Sequence, residues 1–251
     1  GLLVLDIADP AAARILHQFE LAGVQTVAAA GRLAYAGSDA GDLFVVDMAT
    51  GVLLERVRVT HAGLTFAVHD LALETDRLFV LTGNALLIYG VTPKGLYGVV
   101  PKGLQLLSGV AVGGGSPSPL EVGRKLFVGG GRAYVGYFEG FSVFDVSGPS
   151  APKLMGSPPR TQAAVHKFTA NGTGLGVAVT SFGGEGSLAL SLYDLSDPTN
   201  VTRFLGSFET PGIPRSVALF NGLAYVADSQ AGLQVINYRE YDRLGRAPTI
   251  R

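Results

Sequence analysis

Polar residues recur at one phase of this sequence. Counting ten residues back from Tyr35, Phe79, Tyr134 and Tyr225 lands on Gln25, His69, Arg124 and Arg215. His166 takes the same place in the remaining unit once NGTG (171–174) is granted one extra residue. Asp70 and Lys167 stand beside the two histidines. An imidazole next to a carboxylate is the equipment of general acid–base catalysis, so His69, Asp70 and His166 define one reading, a hydrolase or lyase. Guanidinium and imidazole groups without matched acids define another, a weakly basic site for an anionic group. Two imidazoles also open a metal reading, but no H-E-x-x-H spacing and no carboxylate at a matched position supports it; no metal or cofactor is assigned. The plainest alternative has these side chains solvated, satisfying backbone ends around a water-filled channel. On the residues alone these readings stay open, and none is assigned as catalytic.

The remaining candidates carry less chemistry. His17 in ARILHQFEL and His61 in VTHAG read as edge or exposed histidines. The loops SDAGD (38–42), YFEG (137–140), SFGGEG (181–186) and DSQAG (227–231) share one position in the pattern, and none spells the D-x-[DN]-x-[DN]-G calcium loop. Tyr137, Phe138 and Phe182 in these loops are candidate contacts for a protein or glycan partner. GTGLG (172–176) imitates a phosphate loop, yet it lies in a strand hairpin and not between a strand and a helix. Ser150 to Lys153 spells S-x-x-K inside a Pro-rich turn, without the companion motifs of a penicillin-binding site.

The elements that must hold these residues come from an internal repeat. An aromatic-bearing strand appears as GRLAYAG (31–37), DRLFVLT (76–82), GRAYVGY (131–137), GLGVAVT (174–180) and GLAYVAD (222–228). After a Gly-rich turn, a second strand appears as LLVLDI (2–7), LFVVDM (43–48), LLIYGV (86–91), FSVFDV (141–146), LSLYDL (190–195) and LQVINY (233–238). The strand-end residues Asp6, Asp47, Tyr89, Asp145, Asp194 and Asn237 are spaced by 41, 42, 56, 49 and 43 residues. A turn such as ADPAA, SGPSAP or SDPTN follows, then an outer strand, and a further strand such as VQTVAAAG or VHDLALE precedes each aromatic one.

Four short antiparallel strands at this period define an all-β β-propeller, about five repeats plus a partial one, with five to seven blades in the closed ring. The expected repeats are 1–23 (partial), 24–62, 63–118, 119–161, 162–212 and 213–240, with a tail at 241–251, all within one domain of residues 1–251. Residues 92–119 read as an insertion whose near-duplicate PKGLYGVV and PKGLQLLS is expected to form a hairpin over the surface.

Composition narrows the classes further. The chain has 251 residues, 47% hydrophobic and 16% charged, with 35 Gly, no Cys and no Trp. Gly is roughly twice its average usage and charge is well below the usual quarter, the profile of buried strands joined by tight turns. A net charge of −1 argues against an electrostatic grip on nucleic acid. No uninterrupted apolar run is long enough for a membrane span, so no membrane insertion by this segment is expected. The opening GLLVLDIADP, without Met or a basic leader, reads as part of a longer chain flanked by other domains.

The stretches GLAYVADSQAGLQVINY (222–238), GRAYVGYFEGFSVFDVSGPSAPKLMGS (131–157) and LALSLYDLSDPTNVTRFLGSFETPG (188–212) resemble the LVIVD repeat of bacterial surface and secreted β-propellers. Residues 63–118 depart from that pattern, with Tyr89-Gly90 where Asp is expected and no Ser-Asp-Pro turn, which places the outer strand there in question. VVDMATGVLLERV (45–57) resembles quinoprotein-like repeats, but those, WD repeats and sialidase Asp-boxes all use a Trp that this chain lacks. The resemblance implies an extracellular or cell-surface location and no catalytic residues. The reading it supports is a non-catalytic binding or scaffolding module. The hydrolase or lyase and a purely structural spacer are the alternatives.

Overall fold

Each Gly-rich turn reverses the chain tightly enough for successive strands to pair as antiparallel neighbours. The computed structural model describes residues 1–91, 103–113, 124–137, 140–156, 164–181 and 188–242. The chain divides into two compact units, Gly1–Val112 and Gly113–Arg251, whose boundary falls inside the segment 92–119.

Unit 1 begins with a two-stranded sheet of β1 (Leu2–Asp6) and β2 (Arg14–Phe19). A four-stranded blade follows in the order β3 (Val24–Ala30), β4 (Leu33–Ser38), β5 (Asp42–Asp47) and β6 (Val52–Arg58). A short hairpin of β7 (Thr60–His61) and β8 (Leu64–Thr65) leads to a second blade of β9 (Val68–Glu74), β10 (Arg77–Thr82), β11 (Ala85–Gly90) and β12 (Gln105–Ala111). Unit 2 contains the blade β13 (Lys125–Gly129), β14 (Arg132–Tyr137), β15 (Gly140–Asp145) and β16 (Lys153–Leu154). Next comes β17 (Ala164–Ala170), β18 (Leu175–Ser181), β19 (Leu188–Asp194) and β20 (Phe204–Glu209), then a three-stranded sheet of β21 (Ser216–Phe220), β22 (Leu223–Ala227) and β23 (Leu233–Asn237). The fold class is all-β, made of four-stranded antiparallel blades of the propeller type.

The two middle strands of a blade have neighbours on both faces, so they read as continuous apolar runs. Every residue of β4 and β5 is buried. The period of two sends Leu33 and Tyr35 into the core shared with the β9–β12 blade, and Ala34 and Ala36 into the core shared with β1 and β2. In unit 2 the core between adjacent blades is aromatic. Phe168 stacks on Tyr134 with ring centroids 4.9 Å apart and meets Phe141 at 4.5 Å, while Tyr193 meets Phe141 edge-on at 5.2 Å.

Where an acid or amide ends a third strand, it is a turn cap. Asp6, Asp47, Asp145 and Asp194 accept the backbone N–H two residues on, at 2.8 to 3.1 Å, and Asn237 does the same for Arg239. Three of these acids also pair with an arginine, as Asp6–Arg14, Asp47–Arg32 and Asp194–Arg203. The Arg32 hydrogen bonds are the main reason that the Asp47 carboxyl is lowered to about 2.

The outer strand of residues 63–118 corrects one expectation. The segment expected to fold back as a surface hairpin supplies the blade's fourth strand, because Gln105–Ala111 pairs with Gly90–Ala85 along the whole ladder. The turn before it differs from its sisters, but the unpaired edge of β11 still needs hydrogen-bond partners and β12 provides them. The first copy of the duplicate, PKGLYGVV, lies outside the described residues.

Candidate functional site

Three of the five recurring polar residues fall on a recurring irregularity. In β3, Val24 faces Ser38 and Thr26 faces Gly37, so Gln25 is the extra residue of a β-bulge. His69 is extra in the same sense between Val68, opposite Thr82, and Asp70, opposite Leu81. His166 is extra between Val165, opposite Thr180, and Lys167, opposite Val179. A bulge re-aims a side chain out of the strict in-and-out alternation, which is why a polar residue can sit at this point of a buried strand.

A glycine on the neighbouring blade accommodates each of two bulges. A Cβ on Gly37 would stand 2.3 Å from the Val68 Cγ1, and one on Gly136 would stand 2.9 Å from the Val165 Cγ1. Val68 and Val165 immediately precede the bulged histidines. The absence of a side chain at these two glycines therefore lets the bulged strand close against its neighbour.

In unit 1 the polar groups tie adjacent first strands together. Gln25 donates its Nε2–H to the Val68 carbonyl at 2.7 Å, and the Thr26 hydroxyl donates to Asp70 Oδ1 at 3.0 Å. Asp70 is buried and also accepts the Leu71 amide at 3.1 Å, so its carboxylate serves the junction of β3 and β9. His69 is half-buried, with its Nε2 3.5 Å from where a Cβ on Gly83 would lie.

In unit 2 the corresponding ends gather positive charge. The first strands β13, β17 and β21 are successive neighbours; Arg124 and Arg215 immediately precede β13 and β21, and His166 with Lys167 lies in the first half of β17. Arg124 and His166 are buried at 8% and 5% exposure, whereas Arg215 is exposed. Lys167 Nζ reaches the Leu126 carbonyl at 3.5 Å, and Arg215 Nε lies 3.4 Å from the Ser229 hydroxyl. Burial first, and the Arg215 charge second, push His166 below its ordinary pKa of 6.5. The nearby carboxylate of Asp228, fully buried at the end of β22, accepts the Gly212 amide at 2.9 Å through Oδ2, and its Oδ1 has no hydrogen-bond partner.

His69 and Asp70 belong to unit 1, and His166 belongs to unit 2. Tyr137 does not present its ring to solvent; it is 5% exposed, with its hydroxyl 3.1 Å from the Ser142 hydroxyl inside the sheet. That corrects its expected part in an exposed aromatic patch, because the second strand is covered on both faces up to its last residue. Phe138 and Phe182 lie outside the described residues. His17 stands in β2 against Gly51, and His61 in the β7–β8 hairpin against Gly109. Among the described residues no group of three or more His, Asp or Glu could hold a metal ion, and no helix is long and apolar enough to cross a membrane.

One feature of unit 1 has no signal in the repeat. A groove of about 560 Å³ is lined by Asp42, Arg56 and Arg58 together with Glu20 and Asp39. Asp42 is buried and pairs with Arg56 at 2.8 Å and Arg58 at 3.4 Å, while Arg56 lies over the Phe44 ring at 5.6 Å. Both guanidinium groups of the groove are thus paired with the one Asp42 carboxylate.

Two segments, residues 123–158 and 211–237, match the family model described as LVIVD repeat. No match is found among curated proteins. Among solved structures, the chain is similar to the computationally designed Ika8 protein, with a TM-score of 0.55 and 11% identity over 87% of this chain and 72% of that one. It is similar also to Chaetomium thermophilum Raptor, with a TM-score of 0.56 and 16% identity over 82% of this chain and 18% of that one. At these identities the likeness is one of fold alone.

Proposed function

We propose, from two LVIVD-repeat segments and propeller-type blades, that this chain is a non-catalytic binding and scaffolding module of an exported or cell-surface bacterial protein. Its ligand carries an anionic group, taken up at the starts of the first strands in unit 2. One observation carries this reading. Arg124 and Arg215 stand at the starts of the two strands that neighbour β17, the strand that carries Lys167 and a buried His166. Partly desolvated guanidinium groups recognise carboxylate, phosphate or sulfate through charge-assisted hydrogen bonds. The hydrolase reading loses support because Asp70, its carboxylate, is engaged by Thr26 and Leu71 at a strand junction. The location outside the cell rests on the resemblance to LVIVD propellers, and fractionation of the source cells tests it; recovery in the cytosol would remove that part.

Calorimetry with inorganic sulfate and, separately, citrate tests the binding reading. A saturable signal is expected from the native chain with at least one of them. Arg215→Gln removes an exposed cation without opening the core, and it should weaken binding about tenfold or more, the worth of one charge-assisted hydrogen bond. No saturable signal, or an unchanged affinity in Arg215→Gln, would refute the proposal.

A further inference from the structure

At the strand ends far from Arg124 and His166, the β13–β14 and β17–β18 turns border a cleft of about 280 Å³ between neighbouring blades of unit 2. The period of two builds one wall. Tyr134 stacks on Phe168 of β17, so its face of β14 looks onto that blade, and Arg132, two residues earlier, shares the face. The ladder sets Phe127 opposite Tyr134 and Gly129 opposite Arg132. A Cβ on Gly129 would stand 3.2 Å from Phe127 Cε1, so the Phe127 ring reaches along β13 over the glycine. A Cβ on Gly130 or on Gly172, one on each turn, would meet nothing within 4 Å, and the cleft is open there.

Charge and shape of the lining select the ligand. Phe127, Tyr134 and Leu195 supply apolar walls, with the two rings 6.0 Å apart and tilted by 46°. Among the described lining residues Arg132 alone is charged. It is half-buried, and unlike Arg32 and Arg203 it forms no ion pair with a described residue. Asp145, opposite it in the ladder, feels its charge without pairing and accepts the Ser147 amide and hydroxyl instead, at 3.0 and 2.7 Å. A guanidinium with unused donors recognises a planar carboxylate by two parallel hydrogen bonds. Aromatic walls suit a flat ring in offset or edge contact, and a cleft at the small end of the range for ligand pockets admits one ring.

We propose that this cleft binds a monocyclic aromatic carboxylate, with its ring against Phe127 and its carboxylate on Arg132. The site is separate from the cationic strand starts, and either can stand without the other. NMR titration of the chain with sodium benzoate tests it, with benzamide and sodium acetate as probes that each keep one half of the ligand. Benzoate is expected to shift the Gly130 and Gly172 amide signals saturably, and benzamide and acetate should each bind at least about tenfold more weakly. Arg132→Gln should weaken benzoate about tenfold without changing the melting temperature, whereas Arg215→Gln should leave its affinity unchanged. If Arg132→Gln fails to fold, the comparison with benzamide decides. Absence of saturable benzoate binding, equal binding of benzamide or acetate, an unchanged affinity in Arg132→Gln, or shifts confined to the strand starts around His166 overturns the proposal.

Discussion

Asp194 shows how a residue of this repeat works. Its side chain is 5% exposed, accepts the Ser196 amide at 2.8 Å and pairs with Arg203 at 2.6 Å. Burial alone would raise its pKa, but the Ser196 amide and hydroxyl and the Arg203 charge hold it below the ordinary value. Asp194→Ala leaves the Ser196 amide without its cap and Arg203 without its partner, and urea unfolding should report a loss of about 1–3 kcal/mol. His166 titrates in the opposite sense to a salt-bridged histidine. Its native pKa lies below 6.5, so as pH falls through that value the unfolded chain takes up the proton first, and stability falls until the native pKa is passed. The urea midpoint should therefore drop on acidification in this window, and His166→Gln should flatten the drop. The strand-end acids were legible in the sequence because one side chain does one local job at a fixed offset. The role of Asp70 was not, because it depends on the Thr26 hydroxyl of the neighbouring blade, 44 residues away in sequence.

At the scale of elements, the bulged first strand and the glycine opposite it form one device. Counting back from the aromatic residue found Gln25, His69 and His166 because the repeat keeps the bulge in phase, although nothing in the residue types announces an extra residue in the ladder. Gly136→Val should test the device. Its Cβ would already stand 2.9 Å from Val165 Cγ1 and 3.2 Å from the Val165 carbonyl oxygen, so the blades must separate or the bulge must shift. Overpacking of this kind costs about 1–3 kcal/mol, and the His166 ring resonances should move with it in an NMR spectrum. A native-like melting temperature with unshifted His166 resonances would show that the bulge does not depend on the glycine. The fourth strand of residues 63–118 was illegible for a different reason. Outer strands are half-exposed and need only backbone partners, so Gln105–Ala111 carries no motif, and its exposed Leu106 and Leu107 break the expected alternation.

For the whole molecule, the period and the turn chemistry were enough to read the all-β blades, since each repeat buries its middle strands in the same way. Function was less legible, because a propeller-type blade is a frame whose end residues can change without disturbing the core. Net charge is −1, so the proposed anion site depends on local placement of charge and not on an overall basic field. The placement makes a specific linkage. An anion beside His166 offsets the Arg215 charge that, after burial, lowers its pKa, so binding and protonation must favour each other. NMR titration of the His166 imidazole across pH, with and without saturating inorganic sulfate, tests this most directly, since the charge of sulfate is constant over the window. The account predicts that sulfate raises the His166 pKa, and that Arg215→Gln diminishes this effect. A His166 titration curve that sulfate leaves in place would contradict it.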